Sequence, residues 1–241
     1  MKPQASRADG MTLPRLLQRN ARDFGNRPAI REKDRGIWQT WTWREYHDQV
    51  HDLALGLAAL GFRRGDRLSV IGDNRPRLYW AQVAALCLGG VPVPVYQDSI
   101  AKELAFVWNH AEISVIVAED QEQVDKVLSL REELPALRLV VYDDARGMSG
   151  YKHDWLKSYE HVQEAGRKFG AEHPGYVEAE IGKGQPADTA IISLHLRHDR
   201  QSQGRDDLPR QCHRRGRELC TGGGAQARGH VAGLSADGVG G

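Results

Sequence analysis

With 241 residues, 40% of them hydrophobic, the chain is long enough to bury a substantial core in one large domain or two small ones. A formal net charge of +1 excludes a general polyanion-binding protein. Cys87, Cys212 and Cys220 are too few and too scattered for a disulfide framework, which points to a reducing, cytoplasmic compartment. The longest apolar run, Val83 to Val95, is short and broken by Gly89, Gly90, Pro92 and Pro94, so no transmembrane segment is expected. The N-terminal stretch Met1 to Arg7 has no apolar core like that of a signal peptide.

Thr12 is placed to cap a helix whose Leu13, Leu16, Leu17, Ala21 and Phe24 share a face and which Gly25 ends. Ala29 to Glu32 and Ile37 to Trp43 predict a hairpin, with Trp38, Trp41 and Trp43 packed on and around it. Thr42 is placed to cap the next helix, with Tyr46, Val50, Leu53, Leu57 and Leu60 facing inward and Gly61 closing it. An alternating pattern follows. Strands are predicted at Arg67 to Ile71, Val91 to Tyr96, Ile113 to Ala118 and Arg138 to Tyr142. Helices are predicted at Arg77 to Leu88, after a capping Ser99, and at Glu122 to Glu133. Single helices between strands imply a parallel sheet covered on both faces. Pro92 and Pro94 cannot donate ladder hydrogen bonds, so their strand is expected at an edge or irregular.

From Asp143 to Ala187 the chain is polar, with one helix expected at about Trp155 to Phe169 and Lys183 in a surface turn between glycines. Asp188 to Ser193 then reads as a short buried strand, and the composition changes abruptly behind it. All eight lysines lie before Ser193, whereas residues 194–241 hold eight arginines, 10 of the 26 glycines, and no Phe, Trp, Tyr, Ile, Asn or Met.

Four stretches, in order and spacing, carry a resemblance: Thr42 to Tyr46; Gly61 to Ile71; Asp73-Asn74-Arg75 with Tyr79-Trp80; and Gly89 to Tyr96. Together they resemble the N-terminal part of the AMP-forming acyl-CoA synthetases, in particular the long-chain fatty acid–CoA ligases, over about residues 12 to 193. The resemblance implies an α/β fold, the N-terminal part of the adenylate-forming fold, with a parallel-rich sheet flanked by helices. It also implies a two-step ligase. A fatty acid carboxylate attacks the α-phosphate of ATP, and CoA then displaces AMP. ATP, Mg²⁺ and CoA are thus the implied cofactors of the full-length family, with fatty acid as partner substrate. In that family the region matched here is scaffold, so no catalytic, cofactor-binding or metal residue is assigned within it.

The family's next feature, directly after Ser193, is a phosphate loop like Tyr-Thr-Ser-Gly-Thr-Thr-Gly-x-Pro-Lys-Gly, whose N–H groups, hydroxyls and lysine hold phosphates. As written, Leu194 to Gly204 has none of it. A one-base shift restores it. If an extra base follows the Ser193 codon, the overlaps Leu194–His195 through Arg197–His198 permit Tyr, Thr, Ser and Gly in turn. His198–Asp199 and Asp199–Arg200 permit Thr, Arg200–Gln201 permits Gly, Gln203–Gly204 permits Lys, and Gly204–Arg205 permits Gly. The expected organisation is therefore an N-terminal portion at 1–193 and a non-native, disordered tail at 194–241. The product is expected to be inactive and, with its sheet interrupted after Ile191–Ile192, aggregation-prone.

Other readings of the tail are weaker. His195, His198, Cys212, His213, Cys220 and His230 match no usual zinc spacing. The segment Arg205 to Arg217 lacks interleaved aromatics and is diluted by Asp206 and Asp207, which speaks against nucleic acid. The alternative function is a non-catalytic α/β nucleotide-binding or interaction module with a basic tail.

Overall fold

The computed structural model describes residues 10–194 and the backbone of 211–213. Helix α1 (Leu13–Phe24) starts at Thr12, whose hydroxyl accepts the Arg15 N–H at 3.5 Å. Strands β1 (Pro28–Asp34) and β2 (Ile37–Thr42) form an antiparallel hairpin around Arg35 and Gly36, both at positive φ (46° and 84°), as a tight two-residue hairpin turn requires. Thr42 then opens α2 (Trp43–Ala59) with a complete capping box. Its Oγ1 accepts the Glu45 N–H while the Glu45 carboxylate accepts the Thr42 N–H at 2.8 Å.

The alternating part follows as β3 (Arg67–Ile71), α3 (Pro76–Cys87), β4 (Val91–Pro94), α4 (Ala101–His110), β5 (Val115–Ala118), α5 (Gln121–Ser129) and β6 (Leu139–Tyr142). Strand β7 (Leu156–Ser158), α6 (Tyr159–Glu172) and α7 (Tyr176–Lys183) complete the body, and the short strands β8 (Ile192–Leu194) and β9 (Gln211–His213) come last. The main sheet is five-stranded and wholly parallel, in the order β4-β3-β5-β6-β7. β4 stands at an edge, where its two prolines leave no ladder bond unmade.

Two core layers sandwich this sheet. Leu68, Val70, Val115, Val117, Leu139 and Val141 face α2, α3, α6 and α7, whereas Ile71, Val93, Ile116, Ala118 and Val140 face α4 and α5. Burying both faces is why these strands read as continuous apolar runs. One polar device sits inside. The Ser69 hydroxyl donates to Val93 O (2.8 Å) and accepts from Trp108 Nε1 (2.9 Å), fixing α4 to the sheet. On the other face α2 and α6 meet glycine to glycine: a Cβ at Gly166 would lie 2.1 Å from Asp52 O, and one at Gly56 would lie 2.0 Å from Val162 O.

Several expectations are corrected. The helix expected from Trp155 begins at Tyr159, because Leu156–Ser158 joins the sheet beside β6 and the Ser158 hydroxyl caps the helix instead. Helix α7, with Lys183 as its last residue, stands where only a polar stretch and a turn were foreseen. Lys183 pairs with Glu180 one helical turn back. Helix α5 ends at Ser129 and is continued by a 3₁₀ turn at Arg131–Glu133. Ser99 does not cap α4, since its own N–H is held in the preceding turn by Tyr96 O and Ile100 takes the cap position. Of the three tryptophans, Trp41 packs edge-on against Trp80 (5.5 Å) and Trp43 lies 6.0 Å from Tyr46, but Trp38 is exposed. β8 lies beside β4 yet is not laddered to it. It pairs antiparallel with Gln211–His213, so this part of the expected disordered tail is strand. The rest of that expectation, and the side chains of the tail histidines and cysteines, lie outside the described residues.

Candidate functional site

In open α/β sheets ligands bind beyond the carboxyl ends of the strands, where successive connections leave to opposite faces. Here that switch lies between β3, followed by α3 on one face, and β5, followed by α5 on the other. The crevice is filled by protein. Glu119, directly after β5, accepts the Asp73 N–H with Oε2 and Arg75 Nε with Oε1 (2.9 Å), and Arg75 Nη1 reaches Glu32 on the hairpin (2.7 Å). Flanked by two carboxylates, the Arg75 guanidinium is held above its ordinary pKa, chiefly by its hydrogen bonds to Glu32 and Glu119. Gly72, at φ +147°, is required where the turn passes this network, since a Cβ there would lie 2.4 Å from Glu119 Cβ.

A second ion pair network stands at the end of β6. Arg77 bonds Asp143 (2.7 Å) and Glu160 (2.6 Å) and lies over the Tyr159 ring at 4.9 Å. Burial pushes the Asp143 carboxyl up, more than Arg77 lowers it. Both networks tie loops to the sheet.

Next to the closed crevice an open cleft of about 760 Å³ extends over the ends of β3, β4 and β8. Its lining includes Asp73, Asn74, Tyr96, Asp98, Ser99, Glu103, Ser193 and Leu194, and among the described residues no lysine, arginine or histidine. β8 thus brings Ser193, the residue after which the phosphate loop was expected, to the mouth of the cleft. Asp73 and Asp98 make the described lining a poor donor set for a polyphosphate, so the described residues of the cleft do not fit ATP. A second cleft, also about 760 Å³, lies between α1, Gly89–Val91 and residues 184–190, by the start of β4 and at the other end of the sheet. Glu119 escaped the sequence reading, although a carboxylate directly behind an apolar strand in a β/α pattern is the signal that marks it.

Residues 17–193 match the family model described as AMP-binding enzyme. The chain belongs to that family. Similar sequences include the long-chain-fatty-acid–CoA ligase ACSBG2 of Xenopus laevis, 28% identical over 131 residues, which are 54% of this chain and 18% of the relative. The human ACSBG2 ligase is 25% identical over 160 residues, 66% of this chain and 24% of the relative. The chain thus spans about a fifth of the length of the curated ligases it matches. Among solved structures, apo MbtA of Mycobacterium smegmatis superposes with a TM-score of 0.64 at 25% identity, covering 84% of this chain and 33% of that one. The anthranilate CoA ligase AuaEII, solved with anthranoyl-AMP, shares the fold with a TM-score of 0.65 at 17% identity, over 84% of this chain and 34% of that one.

Proposed function

We propose that residues 1–193 are the N-terminal portion of a cytoplasmic, AMP-forming long-chain fatty acid–CoA ligase, and that residues 194–241 are that enzyme's gene read one base out of frame. The 241-residue chain is then inactive. It has the scaffold but not the phosphate loop, the remaining walls of the acyl site or the C-terminal part of the enzyme. On this reading no residue of 1–193 is catalytic or holds ATP, Mg²⁺ or CoA, and the chain has no nucleic-acid partner.

The observation that carries the proposal is the coincidence at Ser193. The family match ends there, no lysine follows it, and β8 delivers that residue to a cleft whose described lining holds Asp73 and Asp98 and no cation. This supports phosphate donors coming from the segment behind Ser193, and the shifted frame permits them in register.

The test is to delete one base after the Ser193 codon, express the resulting open frame, and assay acyl-CoA formation from a long-chain fatty acid, ATP, Mg²⁺ and CoA beside the 241-residue chain. Turnover is expected only from the restored frame. Acyl-CoA formation by the pure 241-residue chain well above buffer would refute its inactivity, and codons that cannot encode the loop in any frame would refute the shift.

A further inference from the structure

The β1–β2 hairpin presents one face that the ligase reading does not use. Its register alternates between Ile30↔Trp41, Glu32↔Gln39 and Asp34↔Ile37 on one side and Arg31↔Thr40 and Lys33↔Trp38 on the other. The first side faces the body, where Ile30 and Trp41 pack on the core and Glu32 binds Arg75. The outer side therefore carries Arg31, Lys33, Trp38 and Thr40 and no carboxylate. All four are exposed, Trp38 at 64%, and Ile37 beside it at the tip is 66% exposed. Among the described residues neither Arg31 nor Lys33 forms an ion pair. Asp34, on the opposite side, lies in the field of Arg146.

We propose that this face docks on an anionic phospholipid bilayer, with Trp38 at the headgroup–acyl boundary and Arg31 and Lys33 on the lipid phosphates. Indole is the side chain suited to such a boundary, with an apolar body and one polar N–H. Two unpaired cations flank it at the spacing of a strand face, and an anionic leaflet attracts such charges. Four side chains fall well short of the roughly 800 Å² that each partner contributes to a stable protein interface. A single indole with no second aromatic beside it is also a poor stacking platform for nucleic acid. The inference does not depend on the ligase reading, because it needs only the hairpin.

The test uses the full 241-residue chain, sedimented with vesicles of phosphatidylcholine plus phosphatidylserine and with phosphatidylcholine alone. Partition onto the anionic vesicles is expected, falling about tenfold in Trp38→Ala. The double variant Arg31→Glu, Lys33→Glu should fall at least about 25-fold, roughly fivefold for each cation lost. Lys168→Glu, an exposed cation on α6, should partition as the parent does, and brominated lipid should quench tryptophan fluorescence in the parent and less in Trp38→Ala. Hairpin variants that partition like the parent would overturn the proposal and assign vesicle binding to the arginines of 205–217. So would a parent that ignores anionic vesicles, including one whose duplex-DNA binding is lost in the same variants.

Discussion

Replacing Gly166 by alanine sets two effects of opposite sign against each other. Alanine is the better helix former by about 1 kcal/mol, so propensity alone predicts a more stable protein. The packing predicts the reverse. The new Cβ would lie 2.1 Å from Asp52 O, 2.6 Å from Gly56 N and 3.1 Å from Gly56 Cα, all backbone atoms of α2. A carbon–oxygen contact needs about 3.3 Å, so the helices must part by about 1 Å. A gap of that size forfeits up to about half of each dispersion well along the crossing. The side chains concerned include Leu53, Leu57, Tyr159 and Val162, all 0% exposed. Overpacking of this kind costs about 2–4 kcal/mol gross, which leaves a net loss of about 1–3 kcal/mol after the propensity gain. Gly182 in α7 is the matched control, because a Cβ there meets nothing within 4 Å. Gly182→Ala should be neutral or stabilising by up to about 1 kcal/mol. Urea unfolding of the three chains, followed by far-UV circular dichroism, compares them directly. A Gly166→Ala chain at least as stable as the parent, with Gly182→Ala behaving as expected, would refute the close-approach account.

Other outcomes are expected from single groups. Burial raises the Cys87 thiol to about 12, so at pH 8 only about one molecule in ten thousand holds its thiolate. Mass mapping after brief alkylation should find Cys87 unmodified until denaturant is added, and rapid labelling of the native chain would contradict the burial. Glu45 is held below its ordinary 4.5, first by the Thr42 N–H and then by its hydroxyl. Its stabilisation is therefore present above pH 4.5 and lost as pH falls through the lower folded value. The stability gap between the parent and Glu45→Gln should close in acid, and a gap that ignores pH would count against the cap. Glu119→Ala leaves Asp73 N–H without its acceptor and Arg75 with one carboxylate, a loss of about 1–3 kcal/mol in urea unfolding, where the exposed Glu172→Ala should be neutral. Equal stability of the two would show that the network is dispensable.

How much could be read from the sequence depends on how local each signal is. Thr42 and Glu45 sit three apart and face a single helix end, so the capping box and the start of α2 were legible, and the prolines of β4 disclosed an edge strand without any knowledge of its neighbours. β7 was not legible. It is three residues long with a lysine at its centre, and it is a strand because β6 offers a ladder, not because of its own pattern. Helix α7 has only Val177 and Ile181 as buried anchors, one turn apart, too few to register as a period. The Glu32–Arg75–Glu119 network joins three segments that nothing local connects. The strand end at Ser193 was legible and borders the candidate cleft, but the cleft's chemical surface was not legible. The carboxylates of the cleft come from the turns after β3 and β4 and from α4, and only the fold gathers them.

The fold also relocates the weakness expected of an interrupted sheet. Both edges of the five-stranded sheet are blunted by their own sequence, one by Pro92 and Pro94 and the other by a three-residue strand centred on Lys157. Neither offers a long apolar edge for another chain to extend. The exposed liability is β8 instead. It stands outside that sheet, with Ile192 and Leu194 packed on the α4–α5 layer and Ser193 turned to solvent. Alternation over these three residues seats the strand on the α4–α5 layer, and its ladder partner is Gln211–His213. Under the proposed frame shift, the overlap at Leu194 permits tyrosine, another large side chain able to fill the same contact. On that reading the first difference between ligase and inert product arises at this strand's end, where the following residues either bring phosphate donors or do not.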